Sequence, residues 1–177
     1  MSIEIRDLAL GDFEQLRGVY EEIVKEGKYF YEDEAAPPLE MLVFKFVTQR
    51  QLKVPQIGAF IGDRLVGWVE MTRYDQPSIR HNGTLVNVGV AKDYRGQGIG
   101  RRLIEEALAR AWNAEFLRVE LFVIETNVNA IRLYESLGFK ESGRLRHMLC
   151  RNGQFSDRVM MDIFHPRTDD IIKARTA

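Results

Sequence analysis

Three glycines spaced two apart, Gly96, Gly98 and Gly100, join an apolar run, Val86–Val90, to an amphipathic segment, Ile99–Asn113. The spacing predicts a strand, a short polar turn and a glycine-rich helix start. The first N–H groups of a helix have no acceptor within it, and the macrodipole adds partial positive charge there. Glycine lets that backbone bend toward a ligand without Cβ obstruction. Such a place suits a phosphate or pyrophosphate. Two common phosphate carriers fit poorly. A P-loop needs Gly-Lys-Ser/Thr, whereas Gly100 precedes Arg101 and Arg102. A dinucleotide fingerprint is Gly-x-Gly-x-x-Gly, a different spacing. Glu120 lies about twenty residues on, where a ribose-binding acid is sought, but inside the apolar run Arg118–Ile124.

The stretch Arg95-Gly96-Gln97-Gly98-Ile99-Gly100 matches Arg/Gln-x-x-Gly-x-Gly/Ala, the acyl-CoA pyrophosphate loop of the GCN5-related N-acetyltransferases (GNAT). A second block, Asn127-Val128-Asn129-Ala130 through Tyr134 to Gly138-Phe139, is similar to that family's Asn-x-x-Ala-x-x-x-Tyr-x-x-x-Gly-Phe. The two motifs stand in family order with a helix and a strand between them. The resemblance is specific over 84–140; elsewhere it rests on element order. It implies a GNAT-like α/β fold: a twisted mixed sheet of about six to seven strands with helices on both faces. It also implies acetyl-CoA as cosubstrate, with no metal, and direct attack of an amine on the thioester.

That chemistry needs four things. The pyrophosphate must be anchored, which the amides of Gln97, Gly98, Gly100 and Arg101 can do. The thioester carbonyl must be polarised; the resemblance gives this to a backbone N–H of the strand before the loop, Val88 or Val90, where two parallel strands splay. A preset donor of this kind is worth about 3 kcal/mol. The thiolate needs an acid, and the resemblance puts the Tyr134 hydroxyl near the sulfur. A phenol of pKa about 10 against a thiol of about 8.5 can also act as a hydrogen bond alone. Tyr134 otherwise reads as a core aromatic, sharing a helix face with Ala130, Leu133 and Leu137. Asn127 is placed either to contact CoA or to cap the next helix, with Asn129 as the weaker alternative. Arg95 and Arg101 can reach phosphate oxygens; Arg102 is expected to face solvent.

The fourth need is removal of the amine proton. Many relatives carry a glutamate on the strand before the loop, and Asn87 stands in that neighbourhood. An amide cannot take the proton, so a route through water to Glu70 is expected, with Glu125 and His81 as the other candidates. The acceptor is expected between the loop carrying Tyr29, Phe30, Tyr31, Glu32, Asp33 and Glu34 and the segment around Arg144–Gln154. Leu149–Asp157 resembles the C-terminal hairpin of acetyltransferases acting on amino acids and related amines, which points to a small molecule. A protein N-terminus or lysine acceptor, and a CoA-binding module without catalysis, are the competing readings. NAD binding is a distant third. Cys150 reads as a buried structural thiol.

The 177 residues suit one domain over 1–165, with a polar tail at 166–177 that docks or frays. Apolar content of 45%, charged content of 29% and a net charge of −1 give no sign of a nucleic-acid or membrane partner. One cysteine excludes an internal disulfide, and His81, His147 and His165 have no metal-ligand spacing. No leader or membrane-spanning run is evident, so a cytoplasmic address is expected. The resemblance further implies a homodimer through the sheet edge or C-terminal strands.

Periodicity fills in the elements. It predicts a strand at 3–6, a helix capped by Asp12 and ended by Gly27, and a helix over 39–51. A hairpin follows, 56–61 with 65–72, then a strand at 84–90 and a helix at 99–113. The remainder reads as a strand at 117–124, a helix at 128–137 and a last hairpin, 141–150 with 155–164, turning at Asn152-Gly153.

Overall fold

The computed structural model describes residues 2–30 and 35–176, so Tyr31, Glu32, Asp33 and Glu34 of the expected acceptor loop lie outside the described residues. The chain runs β1 (Glu4–Asp7), α1 (Phe13–Lys25), α2 (Leu39–Gln51), β2 (Gln56–Ile61), β3 (Arg64–Arg73) and β4 (Asn82–Val90). It continues through α3 (Ile99–Asn113), β5 (Arg118–Ile124), α4 (Val128–Ser136), β6 (Lys140–Arg151), β7 (Gln154–Phe164) and α5 (Thr168–Thr176). The strands form one seven-stranded sheet in the order β1-β2-β3-β4-β5-β7-β6. Among its pairings only β4 with β5 is parallel; the rest are antiparallel. The expected mixed α/β architecture is therefore observed.

Two apolar cores sandwich this sheet. One gathers Ile99, Leu103, Ile104, Ala107 and Ala111 of α3 and Tyr134 of α4 against Val69, Met71, Leu85, Val119 and Leu121. The other gathers Phe13, Leu16, Tyr20, Ile23, Leu42 and Phe46 of α1 and α2 against Phe60, Leu65 and Trp68. α1 and α3 earn this place through apolar residues recurring at helical spacing. The Trp68 ring, fully buried, lies so close over Gly89 that a Cβ there would come within 2.2 Å of it. Gly89 is thus fixed by packing beside the strand end that carries the site.

The β4 register contains one irregularity. Glu70 opposes Asn87 and Met71 opposes Leu85, which leaves Val86 as an extra residue. A bulge of this kind bends its strand and increases the local twist. The hairpin turn at the far end is as expected: Asn152 and Gly153 both have positive φ, 49° and 75°.

Two expectations are corrected. Asp12 does not cap α1 with its side chain. Its carboxylate turns back over the short helical turn Leu10–Asp12, accepting from the Ala9 amide at 2.8 Å and from both Arg6 guanidinium nitrogens at 2.8 and 3.0 Å. Cys150 is exposed, because β6 is the outer strand of the sheet and pairs on one side only. The tail includes α5, whose first residue donates its hydroxyl to His165 O at 2.7 Å and Leu117 O at 3.2 Å. Among the described residues no helix is long and apolar enough to cross a membrane.

The Arg6 hydrogen bond holds the Asp12 carboxyl below its ordinary value of 3.8. A depressed carboxyl contributes stability that is complete above the unfolded value and is lost as pH falls through the folded one. Asp12→Asn is expected to lower unfolding free energy at pH 7 by about 1–3 kcal/mol. That gap to wild type should close as the pH falls below about 4, read from urea midpoints across pH.

Candidate active site

Parallel pairing of β4 with β5 covers only Asn82–Leu85 against Arg118–Leu121. Beyond it, β4 stays with β3 through Val90, and β5 stays with β7 through Ile124. The strands part at Val86, the bulged residue. A cleft of 510 Å³ opens between them and runs through the sheet from the α3–α4 side to the α1 side. The strand edges facing it have no strand partner. An extended ligand arm carrying amides can pair there as a surrogate strand.

α3 opens at one end of this cleft. Gly96 and Gly98 take φ of 75° and 77°, and a Cβ at either would meet nothing within 4 Å. These two positions need glycine for backbone conformation, and the space beside them is open. Gly98 offers no side-chain cap, and the first backbone bond of the helix is Arg102 N to Gly98 O at 3.1 Å. The amides of Ile99, Gly100 and Arg101 therefore have no acceptor inside α3.

Most residues singled out from sequence meet here. Val88, Val90, Arg95, Gly98, Gly100, Arg101, Asn127 and Tyr134 all line the cleft. Tyr134, 9% exposed, comes in from α4 with its ring edge-on to Phe139 at 5.8 Å. Asn127 caps α4: its Oδ1 accepts from the Ala130 amide at 3.3 Å. Gln97 is not part of the lining; its side chain reaches back to Asp93 O at 3.4 Å. Arg101 lies along the helices, donating to Ser136 Oγ at 2.7 Å.

Arg95 is committed to a partner no local spacing signals. Its Nε donates to Val90 O at 2.9 Å, and its two terminal nitrogens grip both oxygens of Glu26 at 2.9 and 2.5 Å. Its guanidinium also stacks 5.0 Å from the Tyr29 ring. That hydrogen bonding holds the Glu26 carboxyl below the usual carboxylate range. The segment following α1 is thereby tied to the glycine loop. From the opposite wall Arg151 donates to Gly27 O at 2.8 Å and to Phe30 O. A second cavity of 400 Å³ lies here, between Gly27–Tyr29, the turn Thr126–Asn129 and the hairpin residues Leu149, Arg151, Gln154 and Ser156. It shares Tyr29, Ile124, Asn127 and Asn129 with the cleft.

The three carboxylate and histidine candidates are dispersed. Glu70, 8% exposed, sits on the α1–α2 side of the sheet, with Lys45 Nζ 3.1 Å from Oε1 and Asn87 Nδ2 donating to Oε2 at 2.8 Å. Asn87 in turn lines the cleft. Glu125 serves the hairpin, accepting from the Asp157 amide at 2.8 Å and pairing with Arg144 at 3.2 Å. His81 stands beside Asn82, at the paired end of β4, where its carbonyl receives the Leu117 amide. Lys45 and Glu26 were invisible to motif reading because their partners are remote in sequence.

The family model described as acetyltransferase (GNAT) family matches residues 14–139. An N-alpha-acetyltransferase of Sulfurisphaera tokodaii is 39% identical over 74 residues, covering 40% of this chain and 43% of that protein. The [ribosomal protein bS18]-alanine N-acetyltransferase of Escherichia coli is 36% identical over 78 residues, covering 44% and 53% respectively. The chain thus spans about half the length of these curated relatives, or less. Two solved structures share the fold. One is the acetyltransferase of GNAT family from Streptococcus pneumoniae, with TM-score 0.85, 24% identity and coverage of 93% of this chain and 100% of that one. The other is a phosphinothricin acetyltransferase from Sinorhizobium meliloti in complex with AcCoA, with TM-score 0.86, 21% identity and coverage of 94% and 90%.

Removing the tie between α1 and the glycine loop should loosen the segment over the cleft. Glu26→Ala is expected to speed amide exchange across Gly27–Phe30 by about tenfold, the equivalent of one charge-assisted hydrogen bond. Exchange in α3 should stay unchanged. Hydrogen–deuterium exchange of the two proteins reads both.

Proposed function

The chain belongs to the acetyltransferase (GNAT) family, and from that membership we propose that it moves an acetyl group from acetyl-CoA to the primary amine of a small molecule. The observation that carries the reading is the splay of β4 from β5 ending on the open start of α3. A diphosphate meets free amides at the helix end, and the arm beyond it meets unpaired strand edge along the cleft. The thioester then lies between Val88 or Val90 and Tyr134, all of which line the same space.

The chemistry follows from that placement. The amine nitrogen attacks the thioester carbon; a C–N bond forms and the C–S bond breaks. A β4 amide, of Val88 or Val90, stabilises charge growing on the carbonyl oxygen. Tyr134 gives its proton, or a hydrogen bond, to the leaving sulfur. The proton shed by the amine passes through water to Glu70, the carboxylate that Asn87 links to the cleft. Gln97, Gly98, Gly100 and Arg101 supply amides to the diphosphate, and Asn127 and Arg95 close the sides of the site. Arg95, held on Glu26, contributes by fixing the loop.

The small-molecule assignment is supported by the second cavity, which is walled by the segment after α1 and by the hairpin. It adjoins the cleft at Tyr29, Ile124, Asn127 and Asn129, so a small amine held there stands beside the thioester arm.

Calorimetry with acetyl-CoA, followed by a thiol-release screen of amino acids, polyamines and N-terminal peptides, tests the proposal. Binding with turnover of a small amine is expected. Turnover of peptides alone would replace the acceptor class, and binding without turnover on any amine would leave a CoA-binding module. Tyr134→Phe is expected to lower kcat about 10²-fold while acetyl-CoA affinity holds. Unchanged kcat would assign Tyr134 to the core.

A further inference from the structure

We propose that Asn87 is the seat of the attacking amine: its side-chain oxygen accepts one N–H of the substrate, and the buried Glu70–Lys45 pair fixes it in that orientation. The inference rests on the acetyl-transfer reading above and names a residue to which that reading gives no contact with substrate.

An asparagine amide presents two chemically opposite ends, and its rotation about the last side-chain bond is ordinarily free to exchange them. Here it is not free. Nδ2 donates to Glu70 Oε2 at 2.8 Å, and Glu70 is an acceptor that cannot donate back while ionised. Lys45 Nζ lies 3.1 Å from the other oxygen, Oε1, so both carboxylate oxygens already face a donor. Glu70 itself is 8% exposed, so turning Asn87 over would point a carbonyl at a buried carboxylate. The nitrogen is thereby pinned toward Glu70, and the planar amide sends its oxygen the other way. Asn87 lines the cleft, so that oxygen is the end an incoming group meets.

The position of Asn87 on β4 adds to this. It directly follows Val86, the bulged residue at which β4 leaves β5, and directly precedes Val88. Asn87 faces the side of the sheet carrying Glu70 and α1, whereas Val88 packs toward the α3 core. A thioester polarised from the β4 edge therefore has Asn87 beside it on the α1 side of the cleft. An amine entering from there has one N–H taken by Asn87, which aims its lone pair at the carbonyl carbon. A second hydrogen remains to be lost as the C–N bond forms.

This restricts the substrate class. A primary amine keeps one N–H on Asn87 and loses the other. A secondary amine has only one to spare in its neutral form, so it must give up either the seat or the proton. The site is thus selective for primary amines, and Asn87 is the origin of that selectivity.

The test compares L-methionine with N-methyl-L-methionine, and spermidine with a tetrapeptide beginning in alanine as further primary amines, in wild type and Asn87→Ala. Wild type is expected to prefer the primary over the secondary amine by about tenfold or more in kcat/KM, the value of one well-placed hydrogen bond. In Asn87→Ala, KM for whichever primary amine turns over should rise about tenfold, acetyl-CoA affinity by calorimetry should hold, and the primary-over-secondary preference should collapse. Glu70→Leu, which removes the acceptor for Nδ2, should raise amine KM as Asn87→Ala does. Equal amine KM in wild type and Asn87→Ala, or an unchanged preference, would overturn the seat while leaving acetyl transfer standing. Wild type that binds acetyl-CoA and acetylates no amine would overturn the transfer reading, and this one with it.

Discussion

The site depends on the early divergence of two parallel strands. β4 and β5 pair over four residues and then separate, each retained by its other neighbour. A buried peptide group left unpaired costs about 1–3 kcal/mol, so a sheet does not open in its middle without cause. The cause is local and steric. Val86 is inserted against β3, which bends β4 away from β5 at that residue. The Trp68 ring, packed against Gly89 on the α1 side, leaves no room for a side chain at that point of the departing end. The sheet stays in one piece because it is covered on both faces by separate cores, one built on α3 and α4, the other on α1 and α2. The freed edges face an open cleft, where water or a bound arm satisfies them.

Connectivity then brings the remaining groups to the same end. The chain leaves β4 into α3 and returns as β5, then leaves β5 into α4. Parallel strands linked in this way put both helix starts at the strands' carboxyl ends, beside the point where the strands part. The glycine loop arrives from β4, and Tyr134 arrives from the helix after β5, though 36 residues separate Gly98 from Tyr134 in sequence. Neither feature makes a site without the splay: a closed sheet would leave a helix start and a core tyrosine with a wall between them.

This division explains what could be read from the amino acids. α2 and α3 are found at the residues expected, because apolar spacing and proline or glycine boundaries act within one element. The last hairpin is found for the same reason, from Asn152-Gly153. The polar pairings were not legible. Glu26 meets Arg95 across 69 positions and Lys45 meets Glu70 through the docking of α2, so no local spacing carries them. Asp12 satisfies the cap pattern, but Arg6 on β1 supplies a stronger partner than the helix amides do. Residue type favours burial for Cys150, whereas its exposure follows from β6 standing at the sheet's edge, which no local pattern signals.

The segment Glu26–Phe30 shows how a near-neutral chain can still join its two halves firmly. It is held from the glycine loop by Arg95 and from the hairpin by Arg151, and its own aromatics complete the contact. The Phe30 ring lies 4.8 Å from Tyr20 and 6.0 Å from Trp68, so the same tryptophan that presses on Gly89 also supports this strap. The wall on the glycine-loop side and the wall on the hairpin side are therefore not independent. A change that shifts Trp68 is felt at once in the β4 end and in the strap over it. Close-packed interiors transmit such displacement because they contain no slack to absorb it. The motif residues line the cleft, but their spacing there is set by an aromatic cluster outside both motifs and by two arginines, of which Arg95 also opens the glycine motif.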